Sequence, residues 1–120
     1  MAWTFHDRTP VYVQIADRLR NAILKGEYRP GEQIPPVRQL AIEAAVNPNT
    51  VQRAVGELEA EGLLISRTTQ GCYVTEDTAV LEGVRGNAAK TLVTDFVNRA
   101  GDLSLDRDTL IRMLQEEMTS

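Results

Sequence analysis

The sequence predicts a mainly α protein with one small β-hairpin: a compact N-terminal domain over residues 1–75 and two C-terminal helices over 76–120. Three observations predict it. Apolar residues recur at three- and four-residue spacing in several separate stretches, which is the period of a helix with one buried face. Two short β-favouring runs, Leu63-Leu64-Ile65 and Cys72-Tyr73-Val74, flank the polar, glycine-containing Thr68-Thr69-Gln70-Gly71, the pattern of a hairpin. Helix-starting and helix-stopping residues stand at the ends of the periodic stretches.

The first helix starts at Thr9, a hydroxyl able to cap, followed by Pro10 at the first helical position, where a missing N–H costs nothing. Val11, Ile15, Leu19, Ala22 and Ile23 form its buried stripe, and Gly26 stops it. Glu27 to Pro35 reads as a turn around Pro30-Gly31. A shorter helix follows over about 36 to 44, with Val37, Leu40, Ala41 and Ala44 inward. After the tight link Ala45-Val46, Asn47 caps and Pro48 opens a third helix over 47 to 61, with Val51, Ala54, Val55 and Leu58 inward and Gly62 at its end. Two helices joined by so short a turn have helix-turn-helix geometry, and a hairpin after the third helix makes the domain a winged helix.

Beyond Thr75, Leu81, Val84, Ala88, Leu92 and Phe96 share one helical face. Gly83 and Gly86 weaken the first half, so the firm part of this helix is expected from Asn87. Gly101 is read as its end and Ser104 as the cap of a last helix with Leu105, Leu110, Ile111 and Leu114 on its apolar side. Two such helices cannot bury both apolar faces alone.

With 42% hydrophobic and 25% charged residues, the 120-residue chain has the composition of an ordinary globular protein. No apolar run is long enough to span a bilayer, and the start lacks the basic and apolar regions of a signal peptide, so a cytoplasmic location without a membrane partner is expected. Cys72 is the one cysteine, which excludes an internal disulfide and a cysteine-based zinc site and suits a reducing compartment; it is expected as a small buried residue. His6, in an arm expected to be flexible, has no cluster to complete a metal site. There is no phosphate-cradling loop, nucleophile elbow or metal-ligand spacing, so neither an enzyme nor a cofactor is expected.

A net charge of −4 argues at first against nucleic-acid binding. The distribution removes the objection, because residues 1–75 hold eight Arg/Lys against eight Asp/Glu, while residues 76–120 hold five against nine. The N-terminal domain can therefore carry a local basic face.

Several motifs in this order and spacing resemble a known family. They are Pro10-Val11-Tyr12-Val13-Gln14-Ile15-Ala16, Gly26-Glu27-Tyr28-Arg29-Pro30-Gly31-Glu32-Gln33-Ile34-Pro35, Val37-Arg38-Gln39-Leu40-Ala41, Asn47-Pro48-Asn49-Thr50-Val51-Gln52-Arg53-Ala54 and Leu58-Glu59-Ala60-Glu61-Gly62-Leu63-Leu64. Together, from Pro10 to Val74, they resemble the DNA-binding domain of the GntR family of bacterial transcriptional regulators. The Asn-Pro-Asn-Thr-Val form resembles the YtrA-like branch, whose C-terminal region is a pair of dimerising helices. The family usually has Ser where this chain has Pro36 and Gly where it has Ala45, and its wing often carries a basic residue where Thr68-Thr69-Gln70-Gly71 is neutral.

The resemblance implies a homodimeric, sequence-specific regulator, a repressor on a palindromic operator in double-stranded DNA; a small-molecule effector is left open. It puts Arg38 against DNA, where a guanidinium clamps phosphate or reads guanine; the alternative is a solvated surface arginine. Asn49, Thr50, Gln52 and Arg53 occupy the first turns of the third helix, the part that reaches base edges, although Asn49 and Thr50 could instead serve the helix N-terminus. Arg67, Thr69, Gln70 and Gly71 are the wing candidates, Gly71 either approaching DNA or only making the turn. Trp3, Phe5 and Tyr12 are expected to pack on the core rather than stack on single strands. Leu92, Phe96, Leu110, Ile111 and Leu114 are the expected dimerisation face, with a ligand pocket as the other reading. A winged helix that docks on a partner protein instead of DNA is the competing function.

Overall fold

A computed structural model of the chain describes residues 3–67 and 71–119. In chain order it contains α1 (Val11–Lys25), α2 (Val37–Ala44), α3 (Pro48–Ala60), β1 (Leu64–Arg67), β2 (Gly71–Val74), α4 (Thr78–Asp102) and α5 (Arg107–Met118). This is the mainly α class with a small hairpin that the sequence predicts. The chain divides into two compact units, Met1–Val84 and Arg85–Ser120. The first extends beyond the expected boundary at residue 75 because Val80, Leu81 and Val84 of α4 pack against the core of the winged helix.

In the first unit α3 is the central element and packs against α1, α2 and β1. Its inward positions Val51, Ala54, Val55 and Leu58 are all 0% exposed, as their helical spacing requires. Ile15, Leu19 and Ile23 of α1, Leu40 and Ala41 of α2, and Leu63, Leu64 and Val74 at the hairpin close the core around them. β1 and β2 are antiparallel, with Leu64 opposite Val74 and Arg67 opposite Gly71. The preceding loop contributes a third extended stretch. Gly31 N donates to Val74 O at 2.9 Å, Val74 N donates to Glu32 O at 2.8 Å and Ile34 N donates to Cys72 O at 3.0 Å, so β2 is paired on both sides where the sequence reads only a turn.

Four helices end in the same way, with a left-handed residue that lets two successive N–H groups reach back to the last turn. At α1, Gly26 N bonds Ile23 O and Glu27 N bonds Ala22 O; at α3, Gly62 N bonds Glu59 O and Leu63 N bonds Leu58 O. Ala45 repeats the arrangement at α2, its N–H reaching Ile42 O and that of Val46 reaching Ala41 O, with φ at +58°. The family's glycine suits this position because a Cβ there meets the following carbonyl. Ala45→Gly is therefore expected to stabilise the protein by about 0.5–1 kcal/mol, the relief of left-handed strain exceeding the added freedom of the unfolded chain. Urea unfolding checks this, and an unchanged or lower midpoint would contradict it.

Local details differ from the sequence expectations. Pro10 and Pro36 occupy the N-cap positions of α1 and α2, and neither helix has a side-chain cap bond, so Thr9 does not cap. The N-terminal arm is fastened rather than free: Gln14 Nε2 donates to His6 O at 2.8 Å and to Thr9 O at 2.9 Å, and His6 N donates to Gln14 Oε1 at 3.1 Å. α4 begins at Thr78, not near Asn87. Glycines at 83 and 86 cost only about 1 kcal/mol each relative to alanine, and packing of Val80, Leu81 and Val84 outweighs that loss.

In the second unit α4 continues through Gly101 to Asp102. Ser104, expected as a cap, is instead the left-handed residue after α4, with φ at +57°; Ser104 N bonds Gly101 O and Leu105 N bonds Ala100 O. The cap of α5 is Asp106, whose carboxylate accepts from Thr109 N at 2.8 Å. That bond holds the Asp106 carboxyl below the usual carboxylate range.

Candidate nucleic-acid interface

α3 presents two faces that differ in kind. Inward lie the fully buried aliphatics; outward, in its first two turns, lie Asn49, Gln52 and Arg53, all exposed, with Thr50 half-buried beside them. Asn47 Oδ1 accepts from Asn49 N at 2.7 Å, and Pro48 follows at the first helical position. Asn47 thus does the capping alone, and the side chains of Asn49 and Thr50 make no hydrogen bond within the described residues. Arg38 is exposed in the first turn of α2 and makes no ion pair among the described residues.

The charges on α3 are segregated. Its first half is uncharged apart from Arg53, and Glu57, Glu59 and Glu61 follow at its end. Carboxylates near a helix C-terminus oppose the macrodipole. Arg20 of α1 offsets this for Glu61 with a two-pronged contact, Nε to Oε1 at 2.8 Å and Nη2 to Oε2, while its Nη1 reaches Asp17 Oδ1 at 2.7 Å. The hydrogen bond to Glu61 is the main reason the Arg20 pKa lies above its ordinary value. The fork ties the start of the helical core to its end, and its planar donors match a carboxylate in a way lysine does not.

Three further arginines rest on aromatic rings. Arg53 Cζ lies 3.9 Å from the Tyr12 ring centroid, Arg18 Cζ 4.3 Å from Trp3 and Arg67 Cζ 4.7 Å from Tyr73, within the range of cation–π attraction. Trp3, Phe5 and Tyr12 also pack against the core, as expected of them. In the wing, Gly71 has φ at +90°, a conformation that itself calls for glycine. A Cβ there would lie 3.1 Å from Gln33 Nε2. Thr69 and Gln70 lie outside the described residues. Cys72 is half-buried rather than buried; burial, and then the charge of Glu59, push its thiol pKa up, with a hydrogen bond to Ser66 opposing.

The structure gathers the dimerisation candidates around one apolar groove of the second unit, with a volume of about 1050 Å3, to which Leu92, Phe96, Leu105, Leu110, Ile111 and Leu114 contribute. Leu92 is 71% and Phe96 44% exposed, large values for apolar side chains set side by side. Val93 and Val97, which the sequence reading did not single out, belong to the same face; they were legible as members of an apolar run.

A three-helix core with a helix-turn-helix and a β-wing defines the winged-helix class. Residues 11–74 match the bacterial regulatory proteins of the gntR family. The HTH-type transcriptional regulator YhcF of Bacillus subtilis is 31% identical over 107 residues, covering 89% of this chain and 88% of YhcF. The HTH-type transcriptional repressor YtrA of the same organism is 42% identical over 77 residues, 62% of this chain and 59% of YtrA. Among solved structures, a GntR family transcriptional regulator from Listeria monocytogenes superposes with a TM-score of 0.87 at 32% identity, over 93% of this chain and 98% of that one. The DNA-binding domain of AraR in complex with operator ORX1 matches with a TM-score of 0.57 at 27% identity, over 60% of this chain and 93% of that domain. The chain belongs to the gntR family of bacterial regulatory proteins, and it is a transcriptional regulator rather than an enzyme.

Proposed function

We propose that this regulator binds a palindromic operator in double-stranded DNA as a homodimer and represses transcription by occupying a promoter. The observation that carries the reading is the outward half of α3, where Asn49, Gln52 and Arg53 stand exposed on a helix whose other side is wholly buried. Asparagine and glutamine pair with adenine, arginine with guanine or phosphate, and a rigid helix delivers them in fixed register. Thr50 beside them, Arg38 from α2, and Arg67, Thr69, Gln70 and Gly71 in the wing complete the proposed contact set. The neutral-to-basic first half of α3 suits a DNA groove better than an apolar partner surface.

The likeness to a repressor and to a domain bound to its operator supports the reading. Leu92, Phe96, Leu110, Ile111 and Leu114 are proposed to bury their apolar face against a second copy, which supplies the two half-sites that such readers use. A cytoplasmic location is part of the proposal; among the described residues no helix is long and apolar enough to cross a membrane.

Fluorescence anisotropy with the promoter of its own operon tests the reading. Salt-sensitive binding that prefers the promoter over scrambled duplex is expected, and its absence at micromolar protein rejects the proposal. Arg38→Ala is expected to weaken binding by about 1–3 kcal/mol. A loss confined to one base position marks base reading; an even loss with a shallower salt slope marks a phosphate contact.

A further inference from the structure

We infer that Tyr12 is a positioning residue for Arg53, holding its guanidinium ready for DNA; this rests on the reading of α3 as the DNA-facing helix. Tyr12 lies in the first turn of α1 and packs against the core, while Arg53 lies in the second turn of α3 and is exposed. The two meet with Cζ 3.9 Å from the ring centroid, beside a cleft of about 370 Å3 to which Val11, Tyr12, Asn49, Thr50 and Arg53 contribute.

The arrangement differs from that of Arg20, whose donors are taken up by Glu61 and Asp17. Arg53 makes no hydrogen bond or ion pair among the described residues. Stacking engages only the face of a guanidinium and leaves its in-plane N–H groups free for an acceptor. A free arginine side chain loses much rotamer freedom when it is immobilised on a ligand. An arginine already resting on a ring loses less, so the contact raises affinity by pre-organisation rather than by touching DNA. α1 therefore contributes to recognition through α3.

The test uses the full chain, the duplex of its own promoter and anisotropy at several salt concentrations, below the melting midpoint of every variant. Arg53→Ala is expected to weaken binding about tenfold, equivalent to ~1.4 kcal/mol. Tyr12→Leu is expected to weaken it about three- to fivefold, the scale of an exposed cation–π contact, whereas Tyr12→Phe keeps the ring face and stays within about twofold of wild type. In the Arg53→Ala background Tyr12→Leu should add nothing. Arg53→Lys, an exposed change that keeps the charge but loses the planar stack, should bind several-fold more weakly than wild type.

Losses for Tyr12→Leu and Arg53→Ala that multiply, or a Tyr12→Phe variant as weak as Tyr12→Leu, overturn the inference by making Tyr12 a purely structural residue. Wild-type binding by Arg53→Ala or Arg53→Lys also overturns it, while leaving operator binding through Arg38, Asn49 and Gln52 intact. Failure of the wild-type chain to prefer its promoter overturns the wider reading instead.

Discussion

Replacing Leu92 and Phe96 together by aspartate is expected to leave the chain monomeric and to lower operator affinity by at least about two orders of magnitude, or ~2.7 kcal/mol. Both side chains are large, apolar and well exposed, at 71% and 44%, and both line the groove of the second unit. Burying such side chains against another copy is worth roughly 1.5–3 kcal/mol each. Aspartates at these positions remove that gain and add the cost of desolvating charge at an interface. A monomer then meets one half-site at a time and loses the high effective concentration that linkage of two readers provides. Analytical ultracentrifugation reads the assembly, anisotropy reads the affinity, and circular dichroism checks that α4 and α5 persist. A variant that stays dimeric, or a monomer that binds the operator as tightly as wild type, contradicts the proposed interface.

Leu58→Ala should have the largest effect on stability. Leu58 is 0% exposed in α3, the helix against which α1, α2 and β1 pack, so few neighbours can move into the space left behind. Truncating a leucine in such a setting costs about 3–4 kcal/mol, a large part of the 5–15 kcal/mol that ordinarily holds a domain together. The midpoint of thermal unfolding should fall by on the order of 15–25 °C. Ile42→Ala is the control, because Ile42 is 76% exposed and its truncation should change stability by no more than about 0.5 kcal/mol. Equal losses for the two variants would contradict the central role given to α3.

The inward faces of α1, α2 and α3 were legible in the sequence because each buries one stripe, and a buried stripe writes a period of 3.6 into residue type. Asn47-Pro48 announced the start of α3 for the same local reason, a cap followed by a residue with no N–H to satisfy. What was not legible depends on partners distant in sequence. Gly31 to Ile34 pair with β2 through backbone hydrogen bonds, which leave no mark on side-chain type. Local preference puts the start of α4 too late, because Gly83 and Gly86 are weak helix formers, whereas packing of Val80, Leu81 and Val84 on the core decides the matter.

The α3 residues of the candidate site could be named from the sequence, since their position in the helix fixes which way they face. Their supports could not. Arg20 and Glu61 stand 41 residues apart, and Tyr12 reads as one more aromatic of the core until its ring is found beneath Arg53.

The doubly paired β2 also bears on how the protein avoids self-association through its sheet. Because β2 lies between β1 and the Gly31–Ile34 stretch, only the outer margins of the sheet could recruit a strand from another molecule. One margin is four residues long and ends in Ser66 and Arg67, too short and too polar to template a fibril. The other runs into Pro35 and Pro36, which have no N–H to donate. Among the described residues, neither margin therefore offers a long, regular edge on which a strand of another molecule could pair.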